Sequence, residues 1–147
     1  MRLDVDVDAY LPADYIPFEA AKIDVHRRVS GASDVGELRA LRDELRDRFG
    51  PVPGPVENLI ELQRARIELG ALGARTVEFR GGRLSVTPLE MDAAAVGRLR
   101  EGMPEAMYES RVKTLSVRVP DEPQARLEAV LGLADAVRGA VPEPVAA

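Results

Sequence analysis

Thr76-Val77-Glu78-Phe79-Arg80-Gly81-Gly82-Arg83-Leu84-Ser85-Val86-Thr87 is the stretch that decides the fold class. Two alternating runs flank a Gly-Gly pair. A two-residue loop able to take positive φ at both positions matches the right-handed twist of an antiparallel ribbon. In that register Phe79 faces Leu84 and Val77 faces Val86, so one side of the ribbon is apolar and the other polar. A hairpin makes the sheet antiparallel.

Toward the C-terminus, Thr87-Pro88-Leu89-Glu90 has the form of a capping box with proline at the first helical position. It predicts a short helix carrying Leu89, Val96, Leu99 and Met103, stopped by Pro104. A weak strand is predicted over 106–109. A better one follows, in which Leu115, Val117 and Val119 alternate with Thr114, Ser116 and Arg118. Pro120 to Pro123 turn into a last amphipathic helix built on Leu127, Val130, Leu131, Ala134, Val137 and Val141. Residues 142–147 have no periodicity and are expected to form a disordered tail.

Toward the N-terminus, a helix is predicted to open near Pro55. It buries Val56, Leu59, Ile60 and Ile67, carries a second strip of Leu62 and Leu69, and frays at Gly70 and Gly73. Before it stands Glu44-Leu45-Arg46-Asp47-Arg48-Phe49-Gly50-Pro51-Val52-Pro53. Leu38, Leu41, Leu45 and Phe49 recur at helical spacing as a buried stripe, with Phe49 its closing anchor. Gly50 suits a left-handed C-cap, Pro51 and Pro53 forbid continuation, and Ser33 or Asp34 with Glu37 supplies an N-terminal capping box. On the helical wheel Glu37, Glu44, Asp47 and Arg48 cluster on one flank, and Arg39, Arg42 and Arg46 on the other. Such a helix suits a partner that reads charge. The same pattern also describes a solvated face with local pairs such as Glu44 to Arg48.

An earlier helix over 18–29 carries Phe18, Ala21, Val25 and Val29, after breaks at Leu11-Pro12 and Ile16-Pro17. At the start, Val5, Val7 and Ala9 alternate with Asp4, Asp6 and Asp8, which predicts a half-buried strand. The element order is β-ααα-ββ-α-ββ-α. The expectation is one two-layer α+β domain over 1–141, with an antiparallel sheet of about five strands and helices on one face.

Composition bounds the function. The chain has 147 residues with 20 basic and 25 acidic side chains, net charge −5, one histidine, no cysteine and no tryptophan. Without cysteine there is no disulfide framework or thiolate metal site. His26 alone builds neither a catalytic nor a metal constellation and is expected to be structural, half-buried at an edge. Neither Gly81-Gly82 nor Gly70-Ala71-Leu72-Gly73 has the Gly-Lys-Ser/Thr ending of a phosphate loop. No carboxylate pair lies in an apolar run that would raise a pKa for acid–base work. Arg64, Arg66 and Arg75 are dispersed and expected to be solvent-facing or snorkelling side chains. No catalytic, cofactor or metal residue is therefore assigned. Dispersed basic residues and scarce aromatics disfavour direct nucleic-acid binding. No window approaches the roughly 18 apolar residues of a membrane span, and the acidic N-terminus lacks a signal-peptide core, so a cytoplasmic location is expected.

Taken together, Leu11-Pro12-x-Asp14-Tyr15-Ile16-Pro17, Arg27-Arg28, Glu44-Leu45-x-Asp47-Arg48-Phe49-Gly50-x-x-Pro53 and Asn58-Leu59 resemble the C-terminal domain of the bacterial transcription-repair coupling factor. The resemblance is dense over residues 5–75 and looser beyond, and His26 stands where that family often carries tyrosine. In that family the whole protein is an ATP-driven DNA translocase that removes stalled RNA polymerase and recruits the excision-repair damage-recognition protein. The resemblance implies a non-catalytic, autoinhibitory domain that docks on an N-terminal module similar to an excision-nuclease subunit. There it would mask the repair-protein-binding surface and restrain the motor. RNA polymerase and the damage-recognition protein would be indirect partners. Carried over by position, the implied partner-binding residues are Glu44, Asp47 and Arg48. The motor motifs do not occur in this sequence, which then reads as a fragment or a detached domain. The alternative is a free-standing small adaptor or oligomeric structural protein unrelated to repair.

Overall fold

The computed structural model describes residues 1–141, so the tail expected at 142–147 lies outside the described residues. The elements run α1 (Glu19–Gly31), α2 (Val35–Phe49), α3 (Gly54–Ala71), β1 (Thr76–Arg80), β2 (Arg83–Thr87), α4 (Ala93–Gly102), β3 (Met107–Glu109), β4 (Thr114–Arg118) and α5 (Pro123–Ala140). The four strands form one antiparallel sheet in the order β1-β2-β4-β3. The α+β class is as expected. The sheet has four strands rather than five.

The hairpin sets the register of everything paired to it. Val77 lies opposite Val86 and Phe79 opposite Leu84, with Gly81 and Gly82 at φ 59° and 74°. Both glycines occupy the left-handed region that the turn demands. β4 then pairs Val117 with Leu84 and Leu115 with Val86, so one face of the central strands is apolar and buried.

The predicted first strand does not form. Arg2 makes a parallel bridge to Thr76, its amide donating to the Arg75 carbonyl (2.7 Å) and its carbonyl accepting from the Val77 amide (2.9 Å). Continued in that register, the segment would set Asp4 beside Glu78, and like charges side by side destabilise a sheet. Alternation alone did not carry that cost.

The fourth helix also departs from expectation. Thr87 is the last residue of β2, opposite Thr76. The next residues stay non-helical because the Leu89 amide donates to the Lys113 carbonyl (2.8 Å) and the Tyr108 hydroxyl donates to the Leu89 carbonyl (2.5 Å). Helix α4 begins only at Ala93, where the Asp92 carboxylate accepts from the Ala95 amide (2.8 Å). Leu89 is buried all the same.

The described residues group into two compact units: Met1–Val5 with the chain from Glu68 onward, and Asp6–Ile67. In the first, Leu84, Val86, Leu115 and Val117 of the sheet are buried, as are Leu127, Val130, Leu133, Ala134 and Val137 of α5. Helix α5 contacts β2 and packs along α4. Leu133 is buried where Leu131 was expected, and Leu131 is only partly covered. At about 100° per residue the two lie nearly equally far from the stripe on opposite sides, so periodicity could not choose between them.

In the second unit, Leu11, Ile16, Val25, Val29, Leu38, Leu41, Leu45, Val56 and Ile60 form one apolar cluster. Phe18, expected in the α1 stripe, is 64% exposed at the N-cap position. Phe49 is partly buried rather than the fully packed anchor expected. It is the last residue of α2; its ring tilts against Tyr15 (centroids 5.8 Å apart), and the Arg48 guanidinium lies 4.9 Å from its centroid. Among the described residues no helix is long and apolar enough to cross a membrane.

Candidate functional site

Helix α2 is fixed firmly at both ends, which makes it a rigid carrier for its charges. At the start the Asp34 carboxylate accepts from the Glu37 amide (2.9 Å), and the Glu37 carboxylate accepts from the Ser33 amide (3.2 Å) and hydroxyl (3.4 Å). Glu37 thus belongs to the cap. At the end Gly50 adopts φ +92° and its amide donates to the Arg46 carbonyl (3.0 Å). The Tyr15 hydroxyl is shared between the carbonyls of Leu45 (3.2 Å) and Gly50 (3.0 Å), the latter past the last helical residue and without an intrahelical donor.

Burial, and after it the negative charge of Glu57, push the Tyr15 phenol above its ordinary pKa. The fold therefore favours the neutral phenol, a contribution fully present below the ordinary tyrosine value and lost as pH rises through the elevated folded value. Tyr15→Phe is expected to lower stability by about 1 kcal/mol at neutral pH. The gap between wild type and variant should narrow toward about pH 11, a trend that urea melts at both pH values would check.

The charges divide between the neighbouring helices of the unit. On one flank Glu44 accepts from the Arg28 guanidinium of α1 (2.5 Å), and Arg48 approaches the same Glu44 oxygen at 3.9 Å. Arg28 also lies 3.9 Å from Asp24, which pairs with Arg27 (2.8 Å). Signs alternate along this chain of five side chains. Asp47 is exposed and joins no ion pair among the described residues. On the other flank Arg42 bridges Glu57 (2.6 Å) and Glu61 (2.8 Å) of α3, and Glu61 also holds Arg64 (2.7 Å). Arg46 pairs locally with Asp43 (2.7 Å), and Arg39 is exposed. Of the expected basic flank, Arg42 is thus a fastening between helices.

Of the three residues expected to bind a partner, Glu44 and Arg48 come together, with Arg28 on the same Glu44 oxygen, and Asp47 joins no ion pair among the described residues. The expected Glu44 to Arg48 pair is the longer of the Glu44 contacts. Arg28 was the functional neighbour that sequence spacing did not supply, because its contact with Glu44 spans 16 residues and two helices. The string Arg27-Arg28 was its only local signal. Arg64 pairs with Glu61 and is 21% exposed, the partly covered of the two expected alternatives rather than the solvent-facing one. His26 is exposed rather than half-buried, since it points away from the Val25 and Val29 stripe.

Fold and surface together define a small α+β domain whose side-chain chemistry is concentrated in ion pairs along one capped helix. The TRCF domain model matches residues 5–97, and the chain belongs to that family. It is 33% identical over 121 residues to the transcription-repair-coupling factors of Mycobacterium bovis and Mycobacterium tuberculosis, matching 82% of this chain. The corresponding factor of Staphylococcus haemolyticus is 32% identical over 87 residues, 59% of this chain. The chain spans 10% of the length of the mycobacterial relatives and 7% of the staphylococcal one. A crystal structure of the C-terminal domain of a transcription-repair coupling factor superposes with a TM-score of 0.74 at 20% identity, covering 92% of this chain and 90% of that one.

Proposed function

We propose that residues 1–141 act as the non-catalytic, autoinhibitory docking domain of a cytoplasmic transcription-repair coupling factor, in transcription-coupled DNA repair. The domain docks on the excision-nuclease-like N-terminal module of that protein and masks its repair-protein-binding surface. Through that contact it governs, indirectly, engagement of RNA polymerase and recruitment of the damage-recognition protein by the ATP-driven motor. Glu44, Asp47 and Arg48 form the contact.

The observation that carries this reading is Asp47. It is a solvent-facing carboxylate without an ion-pair partner on a helix whose other acids are paired or capping. Arg48 beside it is 52% exposed at its side chain. An autoinhibitory contact must release, and charge pairs at an interface rim contribute modestly and exchange readily. Glu44 fits the same logic, because a partner arginine can replace Arg28 without leaving either charge bare. Titration calorimetry of this domain against the separate N-terminal module tests the proposal. Binding that weakens with salt and with loss of Asp47 supports it, and absence of binding rejects it.

A further inference from the structure

A row of three arginines crosses the outer face of the sheet. Arg80 is the cross-strand partner of Arg83, and Arg83 of Arg118. Direct partners share a face, so all three project away from the side that buries Leu84, Val86, Leu115 and Val117. With strands about 4.8 Å apart, the row is roughly 10 Å long.

Like charges directly opposite one another destabilise a sheet, and no carboxylate neutralises these. Arg80 and Arg118 are exposed and form no ion pair among the described residues. Arg83 donates to the Ser116 hydroxyl (3.1 Å). Glu78, two residues along β1 on the same face, forms no salt bridge with any of them among the described residues. Several arginines elsewhere are closely paired, as with Arg28 to Glu44, Arg42 to Glu57, Arg126 to Asp121 and Arg138 to Glu68. The row is a positive island on a chain of net charge −5. Beside it a surface hollow is lined by Gly81, Gly82, Arg83, Arg118, Val119 and Pro120, so two of the three arginines also wall a recess. The adjoining outer positions Ser85, Thr87, Thr114 and Ser116 carry short hydroxyl side chains that leave the face open.

We propose that this arginine row is a second docking surface and that its occupant is an acidic helical segment of a partner protein. Side chains at i and i+4 of a helix stand about 5–6 Å apart, close to the strand spacing of about 4.8 Å. Carboxylates at i, i+4 and i+8 therefore meet all three guanidiniums, each able to bond a carboxylate in a two-pronged geometry. A nucleic acid fits less well. Three cations displace few counterions, and the face carries no aromatic ring for stacking among the described residues.

The test uses the whole 147-residue chain and amide chemical shifts. The probe is a helical peptide of about 16 residues, a little over four turns, with glutamate at i, i+4 and i+8. A scrambled peptide of equal composition and a short DNA duplex serve as the other arms. Shifts confined to residues 80–83 and 116–120 are expected with the ordered peptide, at an affinity at least about tenfold above the scrambled one. Arg80→Gln with Arg118→Gln should weaken that binding by about tenfold or more. The same double variant should melt at or above the wild-type temperature in low salt, because it removes like-charge repulsion. No shifts at millimolar peptide, shifts elsewhere, unchanged affinity in the double variant, or tighter binding of the duplex through the row would each overturn the proposal. So would a double variant that melts well below wild type, which would make the row a structural element.

Discussion

Leu45→Ala is expected to lower the stability of the helical unit by about 3–4 kcal/mol, and Phe49→Ala by only about 2. Leu45 is 0% exposed and sits within the cluster formed by Ile16, Leu38, Leu41, Val56 and Ile60. Truncation there removes buried methyl groups and leaves a void that the capped, proline-bounded helix cannot collapse to fill. Phe49 contributes through a partly exposed ring, its tilted contact with Tyr15 and the Arg48 guanidinium above it. Each of those two contacts contributes about 0.5–1.5 kcal/mol beyond area burial. For a unit of this size the Leu45 variant should melt about 12–32 °C lower. Urea melts followed by circular dichroism decide between the two. If Phe49→Ala proves the more damaging, the helix packs through its end rather than its middle.

Spacing made Phe49 the closing anchor of the stripe, and the reason it is only partly covered is general. The stripe Leu38, Leu41, Leu45 and Phe49 was legible because helical periodicity reports which side of a helix faces inward. It does not report how far along the axis the covering layer extends. The hairpin was legible to the residue, because Gly81-Gly82 fixes both turn and register locally. Helices α1, α2, α3 and α5 were legible within a few residues for a similar reason, since caps and prolines are local signals. The first strand and the start of α4 were misplaced where a non-local contact outweighed a local one. Asp4 would have met Glu78 across a bridge, and the Leu89 backbone was claimed by Lys113 and Tyr108. The candidate site divided in the same way. Its charges could be listed from the wheel, but their partners Arg28, Glu57 and Glu61 lie on other helices. Asp47 and Arg39 stay exposed on the flanks where the wheel set them.

The docking proposal leads to the largest expected change in binding. Removing Glu44 and Asp47 together should weaken affinity for the N-terminal module by about 2 kcal/mol, roughly thirtyfold in Kd. Asp47→Ala should leave folding stability within about 0.5 kcal/mol of wild type, because the carboxylate has no ion-pair partner to lose. Glu44→Ala should lower stability by somewhat more, about 0.5–1 kcal/mol, since Arg28 then keeps only the longer approach to Asp24 at 3.9 Å. The two variants thus separate folding from docking. Arg28→Gln supplies the opposite sign. It releases Glu44 from its closest partner, so affinity should rise if Glu44 meets the module and stay level if Glu44 serves only the fold. All these differences should shrink as salt is raised, because exposed charges are screened beyond about 8–10 Å near physiological ionic strength. In a full-length coupling factor the double variant should expose repair-protein binding and raise motor activity together, since one contact is proposed to restrain both. Calorimetry on the separate parts at two salt concentrations reads the first effect directly. An unchanged Kd in the double variant would remove α2 from the interface and leave the arginine row of the sheet as the charged surface to examine next.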